Sequence, residues 1–246
     1  VARRVGRCGD ALYLDLCDKR WRAVEVTASG WRILEAPPIH FVRSPAMLSL
    51  PDPTPGGTPS DLKEALNVDG DALTLIMGYM VGMIRTVGSF PILVVTGEQG
   101  AAKTTTSKKV RRMVDPNKAD LRSPPRNEHD LVITANHGLV LAYDNLSYLS
   151  ANLSDAFCRL STGGGFSTRK LWADDEEVIF ESRRPIVLNG IEDFATRPDL
   201  LDRAVVIHLP AIPKDQRQPE KVVWEQFEAL RPAALAALLD AVSSAL

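Results

Sequence analysis

"FPILVVTGEQGAAKTTTSKKV" occupies residues 90–110, and its reading decides the fold. An apolar run of strand length leads into a glycine-bearing turn and then into a stretch of helical composition. A phosphate-binding loop has the pattern G-x-x-x-x-G-K-[ST]. Gly97 fills its first place and Lys103 and Thr104 fill its last two, but Ala102 stands where the second glycine belongs. Such loops work because backbone N–H groups and a helix N-terminus converge on anionic oxygens. Gly97 and Gly100 supply the backbone freedom this requires. Ala102 is expected to lie where the chain has already turned helical, so that its Cβ is tolerated. Lys103 would reach the β- and γ-phosphates of a nucleotide, and the Thr104 hydroxyl would ligate Mg²⁺. Glu98, Gln99, Ala101 and Thr105 complete the loop. The competing reading is a plain strand–turn–helix with a solvated lysine. The order of strand, turn, Lys-Thr and helix favours the nucleotide site.

Working outward, further apolar runs follow: "LVLAYDN" (139–145), "RPIVLNG" (184–190) and "RAVVIHLP" (203–210). Near-continuous apolar strands alternating with helices predict an α/β fold, a parallel sheet covered on both faces. "LVLAYDN" ends on Asp144, the place from which an acid holds Mg²⁺, although an aspartate there also caps turns. The next residue, Asn145, can orient water but cannot take its proton, so nucleotide binding is better supported than fast hydrolysis. Asn189 closes "RPIVLNG" at a strand C-terminus, in the sheet's ligand-binding crevice. Its amide can meet a γ-phosphate or the attacking water; Asn-Gly is also a good turn. Arg203 precedes the last strand. It reads equally as a helix-end arginine or as a finger reaching a neighbour's phosphate.

Upstream, "ALYLDL", "WRAVEV" and "WRILEA" are short alternating runs separated by "CDKR" and "TASG", a β-meander. "LPDPTPGGTPSD" (50–61) reads as a linker. "TLIMGYMVGMI" reads as a buried core helix, too short for the ~18 residues of a membrane span. The tail from "PEKVVWEQF" onward is helical and is expected to be interrupted at Pro232. The organisation predicted is a β-rich accessory segment and linker at 1–56, a core at 57–212 and a C-terminal helical segment at 213–246.

The 246 residues carry 29 Lys and Arg against 31 Asp and Glu, a net charge of -2. A global attraction to nucleic acid or an anionic membrane is excluded, and any such contact needs a local patch. Cys8, Cys17 and Cys158 are widely spaced and odd in number, which predicts reduced thiols in a cytoplasmic protein. The chain starts at Val1 and not at methionine, which predicts a piece of a longer polypeptide.

Taken in order, "GEQGAAKTT", "LVLAYDN", "RLSTGGGFSTRKLW", "RPIVLNG" and "LLDRAVVIHLP" resemble the AAA+ ATPases of the superfamily 3 helicase type. The resemblance covers roughly residues 75–212. It is strongest to the helicase-like domains of phages and integrated elements, akin to the poxvirus primase–helicase group. It implies a P-loop sheet of strand order 5-1-4-3-2, ATP and Mg²⁺ as ligands, and assembly into a homo-oligomeric, usually hexameric, ring with ATP at subunit interfaces. Single- or double-stranded DNA is the expected partner, and a primase or polymerase module is the expected upstream neighbour. By position, Gly97, Gly100, Lys103 and Thr104 match the Walker A loop and Asp144 the Walker B acid. Asn189 matches the sensor asparagine, and Arg203 the trans-acting arginine finger. "STRKLWADDEEVIFES" resembles a channel-facing hairpin that touches DNA. Its tip is acidic, Asp174, Asp175, Glu176 and Glu177, while Arg169 and Lys170 lie on its first strand.

The resulting expectation is an ATP-hydrolysing DNA helicase motor of a mobile-element replication protein. An ATPase switch acting on a protein partner, without unwinding, is the alternative that Asn145 and the acidic tip favour. A small-molecule kinase is weaker, since no acceptor site is recognisable. The lysines of "KTTTSKKVRR" are expected on a solvated helix face.

Overall fold

The computed structural model describes residues 2–246 except 69, 170–176, 182 and 191–193. Period-two alternation builds the first layer: β1 (Val5–Cys8), β2 (Ala11–Asp15), β3 (Ala23–Thr27) and β4 (Gly30–Leu34) form an antiparallel meander in that order. Helix α1 (Pro59–Leu66) starts at a capping box, with Thr58 and Asp61 each accepting from the other's backbone N–H and proline at the first helical position. Helix α2 (Gly70–Met83) is the expected buried helix. Ile76, Tyr79, Met80 and Met83 are buried, and no helix among the described residues is long and apolar enough to cross a membrane.

Next come β5 (Ile92–Gly97), α3 (Lys103–Val114), α4 (Glu128–Ala135), β6 (Leu141–Leu146), α5 (Ala151–Thr162), β7 (Gly165–Arg169) and β8 (Glu177–Glu181). They are followed by β9 (Ile186–Gly190), α6 (Pro198–Leu201), β10 (Ala204–Leu209) and α7 (Glu220–Ser244). Strands β10, β5, β9 and β6 form a parallel sheet in that order. They start in line, since Ile92 pairs with Ala204 and Ile186, and Ile186 with Leu141. All four C-terminal ends therefore point to one edge.

Both faces of this sheet are covered, which explains the unbroken apolar runs. On one face Leu93, Val95, Val187 and Ile207 join a core with α1, α2, α3, α7 and the inner residues of the meander, Leu12, Leu14, Val24 and Val26. On the other, Ile92, Val94, Ile186 and Leu188 pack with α4 and α5. Each of these buried side chains contributes roughly 1.5–3 kcal/mol.

The meander is also tied to the core by charge. Arg4 and Asp115 are both fully buried, with Nε donating to Oδ1 at 3.0 Å. The other Arg4 N–H groups donate to the carbonyls of Asp15, Leu48 and Pro116. Asp115 Oδ2 accepts from the N–H groups of Leu139 and Val140, so the pair has the added hydrogen bonds that a buried pair needs.

Three expectations are corrected here. The implied second strand of the 5-1-4-3-2 order is reduced to a single parallel bridge, Arg122 to Tyr143 on the free side of β6; Pro116, Pro124 and Pro125 cannot donate to a ladder. Helix α7 is not interrupted at Pro232 but runs through it. The missing backbone bond is offset by burial of Ala234, Leu235, Leu238, Leu239 and Val242. The lysines of α3 do not all lie on a solvated face, because Lys109 is buried, as is the neighbouring Arg111, while Lys103 and Lys108 are half-buried. Lys109 lies over the Phe227 ring, and Arg111 donates to the carbonyls of Ala119 and Asp120. Burial beneath α7 pushes the Lys109 ammonium down to about 8.

Candidate functional site

The C-terminal edge of the parallel sheet gathers the loop after β5, the end of β6 and the end of β9. Gly97 has φ 146°, and a Cβ there would lie 2.4 Å from the Leu209 carbonyl oxygen on the neighbouring strand. Gly100 has φ 87°, and a Cβ there would meet the Arg217 guanidinium at 2.3 Å. Both positions therefore require glycine. Glu98 and Gln99 are exposed at the tip, and Ala101 is buried beneath it.

Ala102 departs from expectation. It is not helical but left-handed, φ 57° and ψ 24°, at the N-cap of α3. That is the conformation glycine adopts freely and that costs an alanine roughly 1–2 kcal/mol in Cβ crowding. The consequence for the site is an N-cap with no side-chain hydrogen bond. No N-cap side chain occupies the first-turn N–H groups of α3, which carry the positive end of the helix dipole.

Lys103 Nζ donates to two carbonyls of its own loop, Gly97 at 2.6 Å and Glu98 at 2.8 Å. Thr104 Oγ1 donates to Asp144 Oδ1 at 3.1 Å. An oxygen from the loop helix and a carboxylate from β6 thus stand side by side, a donor set suited to a hard divalent cation. Thr105 is half-buried on the next position of the helix.

Asn145 is exposed and left-handed, φ 59°, at a register shift in β6 between Tyr143 and Leu146. Asparagine tolerates this conformation better than an acid with a longer side chain does, which gives a backbone reason for asparagine here. Its N–H donates to Asn189 Oδ1 at 3.3 Å, and Asn189 Nδ2 donates to Ser107 Oγ at 3.1 Å. Asn189 is only 1% exposed, so its amide links α3 to the end of β6 rather than standing open in the crevice. Ser107 escaped the sequence reading; its signal is its place one turn beyond Lys103 on α3.

Arg203 is at the opposite edge. Its carbonyl accepts from Ile92 N at the start of β5, and β5 spans roughly 17 Å from there to Gly97. It is exposed, and Nη1 donates to the Asp199 carbonyl. It does not approach the loop of its own chain. Arg217 does. Its guanidinium rests against Gly100, with Nε donating to the Ile212 carbonyl while Ile212 N donates to the Gly100 carbonyl. No sequence spacing marks Arg217, since it reaches the loop only through the chain reversal after β10. The hairpin expected to carry basic residues forms, β7 pairing with β8. Lys170, Asp174, Asp175 and Glu176 lie outside the described residues.

The family model of the actinomycete integrative conjugative element replication protein matches residues 62–245. Among solved structures, the chain is similar to the apo NrS-1 C-terminal region with a TM-score of 0.51 and 12% identity, over 89% of this chain and 64% of that one. It is also similar to the JCV helicase with a thiazolopyridine acetamide compound bound, with a TM-score of 0.45 and 12% identity, over 74% of this chain and 52% of that one. The chain thus spans less than two thirds of the length of either. No curated protein matches it.

Proposed function

Because the chain belongs to the family of actinomycete integrative conjugative element replication proteins, we propose that it is the ATP-hydrolysing motor of such a protein, acting on DNA as a helicase. The observation that carries this reading is the 3.1 Å contact between Thr104 Oγ1 and Asp144 Oδ1, made beside a helix N-terminus with no side-chain cap. Thr104 and Asp144 would hold Mg²⁺, which when bound neutralises phosphate charge. The first-turn N–H groups of α3 would take phosphate oxygens. Lys103 would exchange two neutral carbonyl acceptors for anionic ones, a stronger hydrogen bond, and Arg217 adds a second cation on the same rim. Asn189 is a positioning residue that sets the distance between α3 and β6.

Arg203, turned away from its own loop, fits a role in a neighbouring copy's site. The reading therefore includes a homo-oligomeric ring, hexameric by resemblance, with a primase module upstream and a cytoplasmic location. The test is ATP turnover by the intact chain with and without single-stranded DNA. A motor is stimulated. Slow turnover indifferent to DNA overturns the motor reading in favour of an ATPase switch acting on a protein partner. Asn145 favours that second reading, because an amide cannot accept the proton of an attacking water.

A further inference from the structure

Between the meander and the N-terminal edge of the parallel sheet lies an open cleft of about 610 Å³. It is on the far side of the sheet from the phosphate-type loop, since Leu139 and Arg184 in its wall immediately precede β6 and β9. Arg3, Arg7, His40 and Arg184 line it, and no aspartate or glutamate does among the described residues. Arg4 also borders it, but that guanidinium is committed to Asp115.

The cations of this cleft are held unlike the others of the segment. Arg22 faces Asp18 and Asp52, Arg32 faces Glu25, and Arg43 faces Asp15, each as an ion pair. Arg3 makes no ion pair among the described residues. Arg7 donates from Nε to the Gly9 carbonyl at 2.9 Å and has a 3.7 Å contact to the exposed Asp10, a pair worth little. Arg184 is tethered to two neutral carbonyls, Ala135 and Arg183, both at 2.9 Å. Burial, and after it the positive charge of Arg3, pushes the Arg184 guanidinium down to about 10, with the buried Asp115 carboxylate pulling the other way. Arg3 and Arg184 thus share one cleft wall that has no carboxylate among its described lining residues.

We propose that this cleft binds the phosphodiester backbone of single-stranded nucleic acid. Several separated guanidinium groups match a run of phosphates better than one small anion. In a chain of net charge -2, such a contact requires a local basic patch of this kind. The proposal goes beyond the motor reading: it assigns a DNA contact to the trailing edge of the sheet, independent of the hairpin, and takes from that reading only the ligand's identity.

The experiment is fluorescence anisotropy of a labelled oligothymidylate with the intact chain in EDTA, without nucleotide, over a series of salt concentrations. Arg3→Ala/Arg7→Ala is expected to lower affinity about tenfold or more at low salt. It should also flatten the slope of log K against log salt by roughly 0.7 for each phosphate that is no longer neutralised. Both side chains are outside the core, and the circular-dichroism melt should match the parent. Arg3→Lys/Arg7→Lys should restore most of the slope. Unchanged affinity and slope in the alanine variant overturn the proposal. So does a lysine variant as weak as the alanine one, or inorganic phosphate binding that depends on Arg3 and Arg7 while DNA binding does not. Absence of DNA-stimulated ATP turnover in the parent chain, with oligonucleotide binding that still depends on Arg3 and Arg7, would sink the motor reading and leave this one standing.

Discussion

The two edges of the parallel sheet are built from the same four strands, yet they hold their charges by different routes. At the C-terminal edge everything needed is close in sequence to a strand end: the loop follows β5, Asp144 lies in β6 and Asn189 in β9. At the N-terminal edge the cations come from distant segments, Arg3 before β1, Arg184 before β9 and Arg203 before β10. The edges share one habit. Lys103, Arg184 and Arg203 each rest on backbone carbonyls, whereas Arg4, Arg43 and Arg112 rest on carboxylates. A cation paired with a carboxylate is already neutralised and serves to join segments. One resting on carbonyls keeps its net charge for an incoming anion. That distinction sets Lys103, Arg184 and Arg203 apart from the carboxylate-paired arginines, although the buried Arg111 also rests on carbonyls, and it is open to direct attack.

The largest effect is expected at Arg203. Arg203→Ala should leave the nucleotide affinity of isolated subunits nearly unchanged while lowering turnover by roughly 10³–10⁵-fold, as loss of an arginine finger does. Mixing it with Lys103→Ala should recover part of the activity, because each chain supplies the half-site the other lacks. Two mutants that remain inactive when mixed, despite proven co-assembly, would erase the assignment of the two edges to neighbouring copies.

Asp115→Ala tests the carboxylate-paired class. It leaves the Arg4 guanidinium buried and uncompensated, so stability should fall by about 3–5 kcal/mol in a denaturant titration. A drop under about 1 kcal/mol would show that Arg4 is not held by charge and would blur the line between the two classes.

Lys103→Ala tests the carbonyl-held class at the other edge. Removing one charge-assisted hydrogen bond of about 1.5–3 kcal/mol should weaken ATP binding tenfold or more in a calorimetric titration. Unchanged affinity would remove the loop from the site.

The smallest effect is at the backbone. Ala102→Gly should raise stability by about 0.5–1 kcal/mol, relief of left-handed strain partly offset by the greater freedom of glycine in the unfolded chain. A lowered denaturation midpoint would mean that Ala102 is not strained where it stands.

Much of the C-terminal edge was legible because it is local. A strand, a glycine turn and a helix start lie within residues 90–110, and apolar runs ending in Asp144 and Asn189 mark where neighbouring strands stop. The conformation of Ala102 was not legible, since pattern matching places a residue but not its φ. Nor was the burial of Lys109, which lies over Phe227 of α7, more than a hundred residues away, or that of Arg111, whose guanidinium is taken up by the carbonyls of Ala119 and Asp120. Pro232 misled for the same reason: local chemistry predicts a break, and the tertiary contacts of the surrounding helix override it. The meander was readable as strands. Its attachment through Arg4 was not, because nothing near either residue announces a partner at a separation of 111 positions.

That attachment gives α3 a mechanical character. The helix has 12 residues, a rod of roughly 18 Å. Its leading end faces the phosphate-type loop, and its trailing end is clamped where Asp115 meets Arg4. A hydrogen-bonded rod of that length sets the spacing between Thr104 at one edge and Asp115 at the other. Asp115 in turn meets Arg4, the residue next to Arg3 in the basic cleft. The helix is a strut that holds the two edges of the sheet at a fixed separation.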